Sequence, residues 1–345
     1  MKKRIEMIVA YDGTDYCGWQ RQPNGITIEE VLNRELSRLL KEDIQVIGAS
    51  RTDSGVHAEA NRCIFDTQSR IPADKLCFAL NESLPPDIRI RSSRQVPLDF
   101  HPRKRNSVKS YVYRVWNDRT ELPTRRRYAH FVYVPLDVDK MRHAAACLVG
   151  EHDFTSFCSR RTEKEDKVRT LYRADIVQDG HAIDFYFSGS GFLFNMVRII
   201  VGTLLKVGMG VYPPEEVERI LEARDRARAG QTAPVRGLTM LGIEYEEQLA
   251  EQVHRENRHY SYTVYQDRIL SQGVMYCVFE RCEEAEYVPA RDRLALHAFR
   301  NGAARACFGF GTCPEDVDSW EILEDERKRA QAQRPELTEG EIDVD

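Results

Sequence analysis

The residue pattern of this chain predicts an α+β fold: two ferredoxin-like halves, each a split βαβ unit, sharing one continuous antiparallel sheet with helices on one face, plus a small C-terminal extension. Three observations carry the expectation. Residues 1–105 run strand, helix, strand, strand, helix, strand, which is the order of a split βαβ unit. Residues 106–246 repeat that theme loosely, and after Tyr245 the composition turns charged and its character changes. Two such halves set side by side make a wide sheet with a groove in front, a place for an extended polymer.

Each element has a local reason. Ile5 to Tyr11 alternates weakly and ends at Asp12-Gly13, so it reads as a core strand. Thr27-Ile-Glu-Glu30 is a capping box, and Ile28, Val31, Leu32, Leu36, Leu39 and Leu40 mark one face of a helix to about Lys41. Asp43 to Gly48 and Asn61 to Thr67 are expected as short strands around a loop. A helix from Asp74 to about Glu82 is stopped by Leu84-Pro-Pro-Asp87, and a strand returns from Ile88 to Val96. In the second half the pattern predicts a strand at Val108 to Trp116, a helix at Val138 to Leu148, and strands at Leu171 to Val177 and Ile183 to Phe187. Helices at Leu193 to Lys206 and Pro214 to Ala223 and a closing strand at Leu238 to Tyr245 complete it. Residues 247–322 are expected as a small extra module, with Glu246 to Arg258 helical and Tyr260 to Tyr265 and Val274 to Phe279 as strands. Residues 323–345 read as an acidic tail, partly helical and then disordered.

Composition narrows the class. With 345 residues, 42% of them hydrophobic and 30% charged, the chain can bury a substantial core. No apolar run is long enough to span a membrane, and Met1-Lys-Lys-Arg-Ile-Glu enters a strand pattern directly, so a cytoplasmic location is expected. The nine cysteines are scattered, and Cys277/Cys282 and Cys307/Cys313 miss zinc-ligand spacing, so they are expected as reduced thiols without metal. The net charge of −5 is concentrated after Trp320, where Glu321 to Asp345 holds nine acids against four bases. His101 to Tyr128, by contrast, carries nine bases against Asp118 and Glu121, interleaved with Tyr111, Tyr113, Trp116 and Tyr128. Such a stripe fits phosphate contacts with base stacking, or a solvated strand face.

The most informative stretch is Gly48-Ala-Ser-Arg-Thr-Asp-Ser-Gly-Val-His57. Its last seven residues, Arg51 to His57, place a carboxylate beside a guanidinium, two hydroxyls (Thr52 and Ser54), a permissive glycine and an imidazole on a loop between strands, where chemistry tends to reside. Taken alone it is equally a turn, since Asp, Ser and Gly are turn residues. No Gly-x-Ser-x-Gly elbow and no Gly-x-x-x-x-Gly-Lys loop is present, which sets aside the familiar hydrolase and nucleotide-phosphate motifs.

Seven motifs in order carry a resemblance. Tyr11-Asp-Gly-Thr, Gly18-Trp-Gln-Arg-Gln22, Arg51-Thr-Asp-Ser-Gly-Val-His57, Tyr111-Val-Tyr113, Gly150-Glu-His-Asp-Phe154, Asn195-Met-Val-Arg198 and Thr232-Ala-Pro-Val-Arg-Gly-Leu238 resemble the tRNA pseudouridine synthase A family over roughly residues 3 to 246. The resemblance implies an enzyme that isomerises uridines 38, 39 and 40 of the tRNA anticodon stem-loop, works as a homodimer, and needs neither metal nor cofactor. It implies that Asp53 is the catalytic aspartate, acting at the sugar once the N-glycosidic bond is broken, with covalent attack and proton abstraction both open. Arg198 matches the base that pairs with it and keeps it ionised. Tyr111 matches the ring that stacks on the target base, and Leu238 the apolar residue on the pocket's other side. Arg51 matches the arginine that fills the place of the extruded base, and His57 either braces the loop or touches RNA. Ser50 and Ile199 depart from the residues usual in the family without removing a group the chemistry needs. Two other readings are a non-catalytic RNA-binding or folding factor and a pseudouridine synthase acting at other RNA positions.

Overall fold

The computed structural model describes residues 2–162 and 164–245 together with the strands 260–267, 274–281, 297–300, 303–306 and 339–342. The chain divides into two compact units, residues 1–105 with 109–243, and residues 106–108 with 244–345.

The first unit is an α+β structure around one large, mostly antiparallel sheet. Strand β1 (Lys3–Tyr11) buries Ile5, Met7, Val9 and Tyr11 on one face, as its alternation predicts. Helix α1 (Ile28–Leu40) starts where Thr27, in extended conformation, accepts a hydrogen bond from the Glu30 amide at 3.3 Å. The Glu29 carboxylate accepts from the Arg21 amide at 2.8 Å, tying the incoming loop to the first turn rather than closing the box on Thr27.

The strand expected from Asp43 shrinks to β2 (Ile47–Gly48). The cause is competition from α1, because Ser37 Oγ accepts from the Ile44 amide at 3.0 Å and Asn33 Oδ1 from the Val46 amide at 2.8 Å. Those amides are satisfied by helix side chains and leave the ladder. Strand β3 (His57–Thr67) begins at His57 itself, four residues earlier than predicted. Helix α2 (Leu76–Asn81) and strand β4 (Ile88–Val96) close the first half.

In the second half come β5 (Ser107–Asn117), β6 (His130–Val132), α3 (Val138–Ala146), β7 (Gly150–Asp153), β8 (Val168–Asp179) and β9 (Ala182–Gly189). Helices α4 (Met196–Gly208) and α5 (Glu216–Ala223) and strand β10 (Leu238–Tyr245) follow. The sheet order is β4-β1-β3-β10-β5-β9-β8-β7, with β2 on β3 and β6 on β5. Pairing is antiparallel at β1/β3, β1/β4, β5/β9, β8/β9 and β7/β8. It is parallel at β5/β6 and also at β3/β10, where Thr239 sits opposite His57 and Met240 opposite Ala58. The antiparallel sheet expected from sequence is therefore interrupted at the β3/β10 seam.

Trp19, Phe65, Tyr113, Phe154, Phe157, Phe185 and Phe187 are fully buried. Helix α4 is apolar on nearly every side, which suits a helix enclosed by the core. Close approach is built in at Gly202, where a Cβ would lie 1.8 Å from the Gln231 carbonyl oxygen, so segment 229–233 runs directly against α4.

In the second unit, strands β11 (Tyr260–Asp267), β12 (Val274–Arg281), β13 (His297–Arg300), β14 (Ala303–Ala306) and β15 (Glu339–Ile342) pair antiparallel in the order β14-β13-β12-β11-β15. β15 is drawn from the stretch expected as an acidic tail; pairing with β11 satisfies its backbone. The helix expected at Glu246 to Arg258, the rest of the tail, and the side chains of Cys277, Cys282, Cys307 and Cys313 lie outside the described residues.

Candidate active site

Loop 49–56 is clamped from below by backbone contacts that only glycine permits. Gly18, at φ +81°, packs where a Cβ would stand 2.5 Å from the Thr52 carbonyl oxygen, and the Trp19 amide donates to that oxygen at 3.0 Å. Gly55, at φ +80°, supplies the left-handed position of the turn, while the Val56 amide closes it on the Asp53 carbonyl at 3.1 Å. Beneath the turn is a buried polar chain: Asn61 Nδ2 donates to Tyr11 Oη at 3.2 Å and to the Ser50 carbonyl at 3.1 Å, and Tyr11 Oη shares a proton with Thr52 Oγ1 at 2.7 Å. A network satisfied this fully holds one conformation.

On this support stands Asp53. Its half-buried carboxylate accepts no hydrogen bond among the described residues. Burial raises its pKa above the ordinary carboxylate value, and the Arg198 guanidinium opposes the rise. No ion pair joins the two, so their attraction acts across a gap.

Arg198 is positioned by its own segment. Asn195 precedes α4 in the left-handed region at φ +61°, a conformation that asparagine tolerates better than most residues, and its Oδ1 accepts from Arg198 Nη1 at 2.9 Å. Arg198 Nε donates to the Ala233 carbonyl at 2.8 Å, and the Ala233 amide returns a bond to the Arg198 carbonyl at 3.0 Å. Burial pulls the guanidinium's pKa down, with Asp53 and Tyr113 acting against that, and so far above neutrality the group stays cationic.

Tyr111 projects from β5 into the same neighbourhood. Burial drives its phenol pKa up, Ser50 hydrogen-bonds its oxygen, and the charge of Asp53 adds to the rise. The ring meets Phe192 edge-on, with centroids 4.9 Å apart. Asp53 therefore interacts electrostatically with both Arg198 and Tyr111, so these three sequence-predicted residues are brought together. Leu238 is buried at the first position of β10, and the Thr239–His57 pairing sets it at the same end of the sheet as the Asp53 loop. Val235 just before it fills the space over Gly55, 2.8 Å from where a Cβ would be.

Arg51 is exposed and has no partner among the described residues; it is close enough to Arg103 to depress that group's pKa after burial has done so. His57 is only 4% exposed. Its Nδ1 accepts from the Gly13 amide at 3.1 Å and lies 3.0 Å from Asp12 Oδ1, while Nε2 is 3.1 Å from the Arg127 carbonyl oxygen. Both ring nitrogens are thus engaged inside the protein, the geometry of a loop brace.

Several participants escaped the sequence reading. Phe192 and Asn61 carry no signal of their own and Ser50 stood out only as a departure from the resemblance, whereas Asn195 was visible as the head of Asn-Met-Val-Arg. The basic stripe divides: strand alternation puts Lys109 on the face of Tyr111 and Tyr113, and Arg114 with Trp116 on the other, where Arg114 bonds Thr239 at 3.0 Å and Glu59 at 3.2 Å. Among the described residues no helix is long and apolar enough to cross a membrane.

A profile of the tRNA pseudouridine synthase family matches residues 7–103 and 144–246. The proteins named tRNA pseudouridine synthase A from Brevibacillus brevis, Exiguobacterium sibiricum and Clostridium acetobutylicum are 50%, 46% and 44% identical to this chain. The alignments span 70%, 71% and 70% of this chain and 100%, 98% and 100% of the respective relatives. The archaeal box H/ACA sRNP Nop10-Cbf5 complex aligns with a TM-score of 0.27 at 12% identity, over 68% of this chain and 46% of that one, too distant to bear on the fold.

Proposed function

The chain belongs to the tRNA pseudouridine synthase family, an isomerase family acting on tRNA, and from that premise we propose that Asp53 carries the isomerisation of uridine to pseudouridine at positions 38, 39 and 40 of the anticodon arm. The observation that carries this reading is the half-buried Asp53 carboxylate, unbonded among the described residues and facing Arg198 and Tyr111.

The reaction breaks the N1–C1′ bond, turns the uracil, and forms a C5–C1′ bond; N1 takes a proton and C5 loses one. Only an ionised carboxylate can attack C1′ or remove a proton from the sugar, so burial alone would work against the chemistry. Arg198 opposes that in part, and because it makes no ion pair with Asp53 it leaves the carboxylate oxygens available. Tyr111 offers a flat apolar face for the uracil, with its hydroxyl fixed by Ser50. Leu238 walls the pocket, and Arg51, exposed and unpaired among the described residues, is free to enter the gap left by an extruded base.

Two ferredoxin-like halves, residues 1–105 and 106–246, are part of the same reading. The order β4-β1-β3 with β2 beyond it, and the order β10-β5-β9-β8, support it, since each places a half's first strand between its fourth and third. A homodimer working in the cytoplasm completes the proposal, without metal or cofactor in the reaction; residues 247–322 and 323–345 stand apart as an added module and tail.

Pseudouridine mapping in tRNA from cells lacking this protein tests the reading. Loss of the modification at positions 38–40, restored by the wild-type chain and not by Asp53→Asn, is expected. Loss elsewhere would overturn the positions, and restoration by Asp53→Asn would overturn the role of the carboxylate.

A further inference from the structure

Lys109 stands two residues before Tyr111 on β5, on the same face of the sheet and about 7 Å along the strand. That is the scale separating a nucleobase from its own phosphate. On the β9 side the residue opposite Lys109 is Gly189, so no side chain there supplies an acceptor. Lys109 is half-buried and has no hydrogen-bond or ion-pair partner among the described residues.

A second cation converges on the same corner from another strand. Arg169 of β8 lies along Gly191, its Cδ and Nε each 3.7 Å from the position a Cβ would take there, and the next residue is Phe192, whose ring meets Tyr111. Its acidic partner among the described residues is the exposed Asp166, at 3.5 Å. Burial lowers the pKa of Lys109, and the charges of Lys164, Arg169 and Arg103 lower it further, with no carboxylate among the described residues opposing them. An ammonium held half out of water among like charges is costly unless an anion arrives from outside.

The geometry points to a phosphate subsite formed by Lys109 and Arg169, which grips the RNA backbone next to the extruded uridine and sets its sugar against Asp53. It rests on the reading of Tyr111 and Asp53 given above. Two other bases of the stripe are engaged elsewhere: Arg114 with Glu59 and Thr239, and Arg125 over Trp116 at 4.8 Å.

The test uses the full chain and an unmodified tRNA assembled from synthetic pieces, with a single neutral methylphosphonate placed in turn at each phosphate flanking the target uridine. For the wild type, one of these linkages should raise KM about tenfold, the effect of losing one charge-assisted contact. Lys109→Met should raise KM on the ordinary tRNA by a similar factor, show no further response to that linkage, and flatten the salt dependence by about one phosphate contact. Lys109→Arg should restore both, which a merely structural loss would not permit. Equal responses of wild type and Lys109→Met to every neutral linkage would overturn the subsite, as would an unchanged salt slope. Should Lys109→Met fail to fold, a wild-type KM indifferent to all flanking linkages overturns it equally. A wild type that forms no pseudouridine in any of these tRNAs would instead bring down the functional reading itself.

Discussion

Two carboxylates of the large sheet have been given opposite surroundings. Glu6, 2% exposed in the middle of β1, is held by Arg62 at 3.1 Å and Arg94 at 2.6 Å. Asp53, at the end of its loop, has a guanidinium in electrostatic reach and no hydrogen-bond donor among the described residues. A paired buried carboxylate is spent on the fold, since its lone pairs are occupied and its charge is balanced. An unpaired one beside a withheld cation is kept ready for something that comes and goes. The same contrast separates Arg114, tied to Glu59 and Thr239, from Lys109, which has neither.

Substitutions put this contrast at risk, and at Glu6 the effect should fall on stability. Glu6→Ala removes the buried carboxylate that Arg62 and Arg94 share inside the sheet and is expected to cost about 3 kcal/mol in denaturant unfolding. Conversion per folded molecule should stay within about twofold of wild type; a collapse of activity in folded protein would erase the distinction. Arg198→Met removes the cation that opposes burial at Asp53, so kcat/KM for tRNA should fall about 10²–10³-fold, comparable with losing a preorganised electrostatic partner. Its acid limb should also move to higher pH. The sign follows from the surroundings: burial already raises the Asp53 pKa, and Arg198 is the group lowering it, so the ionised fraction at a given pH shrinks when Arg198 is lost.

Tyr111→Ala should cost about 1–3 kcal/mol of transition-state binding through lost stacking, whereas Tyr111→Phe, keeping the ring, should cost far less. The smallest effect expected is a gain. Because the folded-state pKa of Asp53 lies above its unfolded value, its contribution to stability is fully present below the unfolded pKa and is lost as pH rises through the folded one. Asp53→Asn, a neutral stand-in, should therefore raise Tm at neutral pH and leave it unchanged at strongly acidic pH. Equal shifts at both pH values would refute the linkage.

Much of this arrangement was legible in residues and spacing because the site is assembled from local motifs. Thr27 before Ile28, Gly55 after Asp53 and Asn195 before Arg198 each announce a backbone conformation that places the neighbouring group. What was not legible came from competition and convergence. Ser37 and Asn33 take amides that the branched residues near Ile44 and Val46 had marked for a strand. β6 and β7, three and four residues long, are too brief to show a period. The stripe from Arg103 to Arg127 looked like one surface because composition ignores which way each strand residue faces. Arg169 was invisible as a partner of Lys109 because a long stretch of chain intervenes and only the sheet order joins them.

The most direct test of the catalytic role of Asp53 is single-turnover conversion by Asp53→Ala with tRNA at saturating protein, measured beside its tRNA affinity. The rate of pseudouridine formation should fall about 10⁴-fold or more, with affinity held within about threefold of wild type, since binding rests on the cations and rings around the missing carboxylate. Conversion near the wild-type rate at full binding would contradict it.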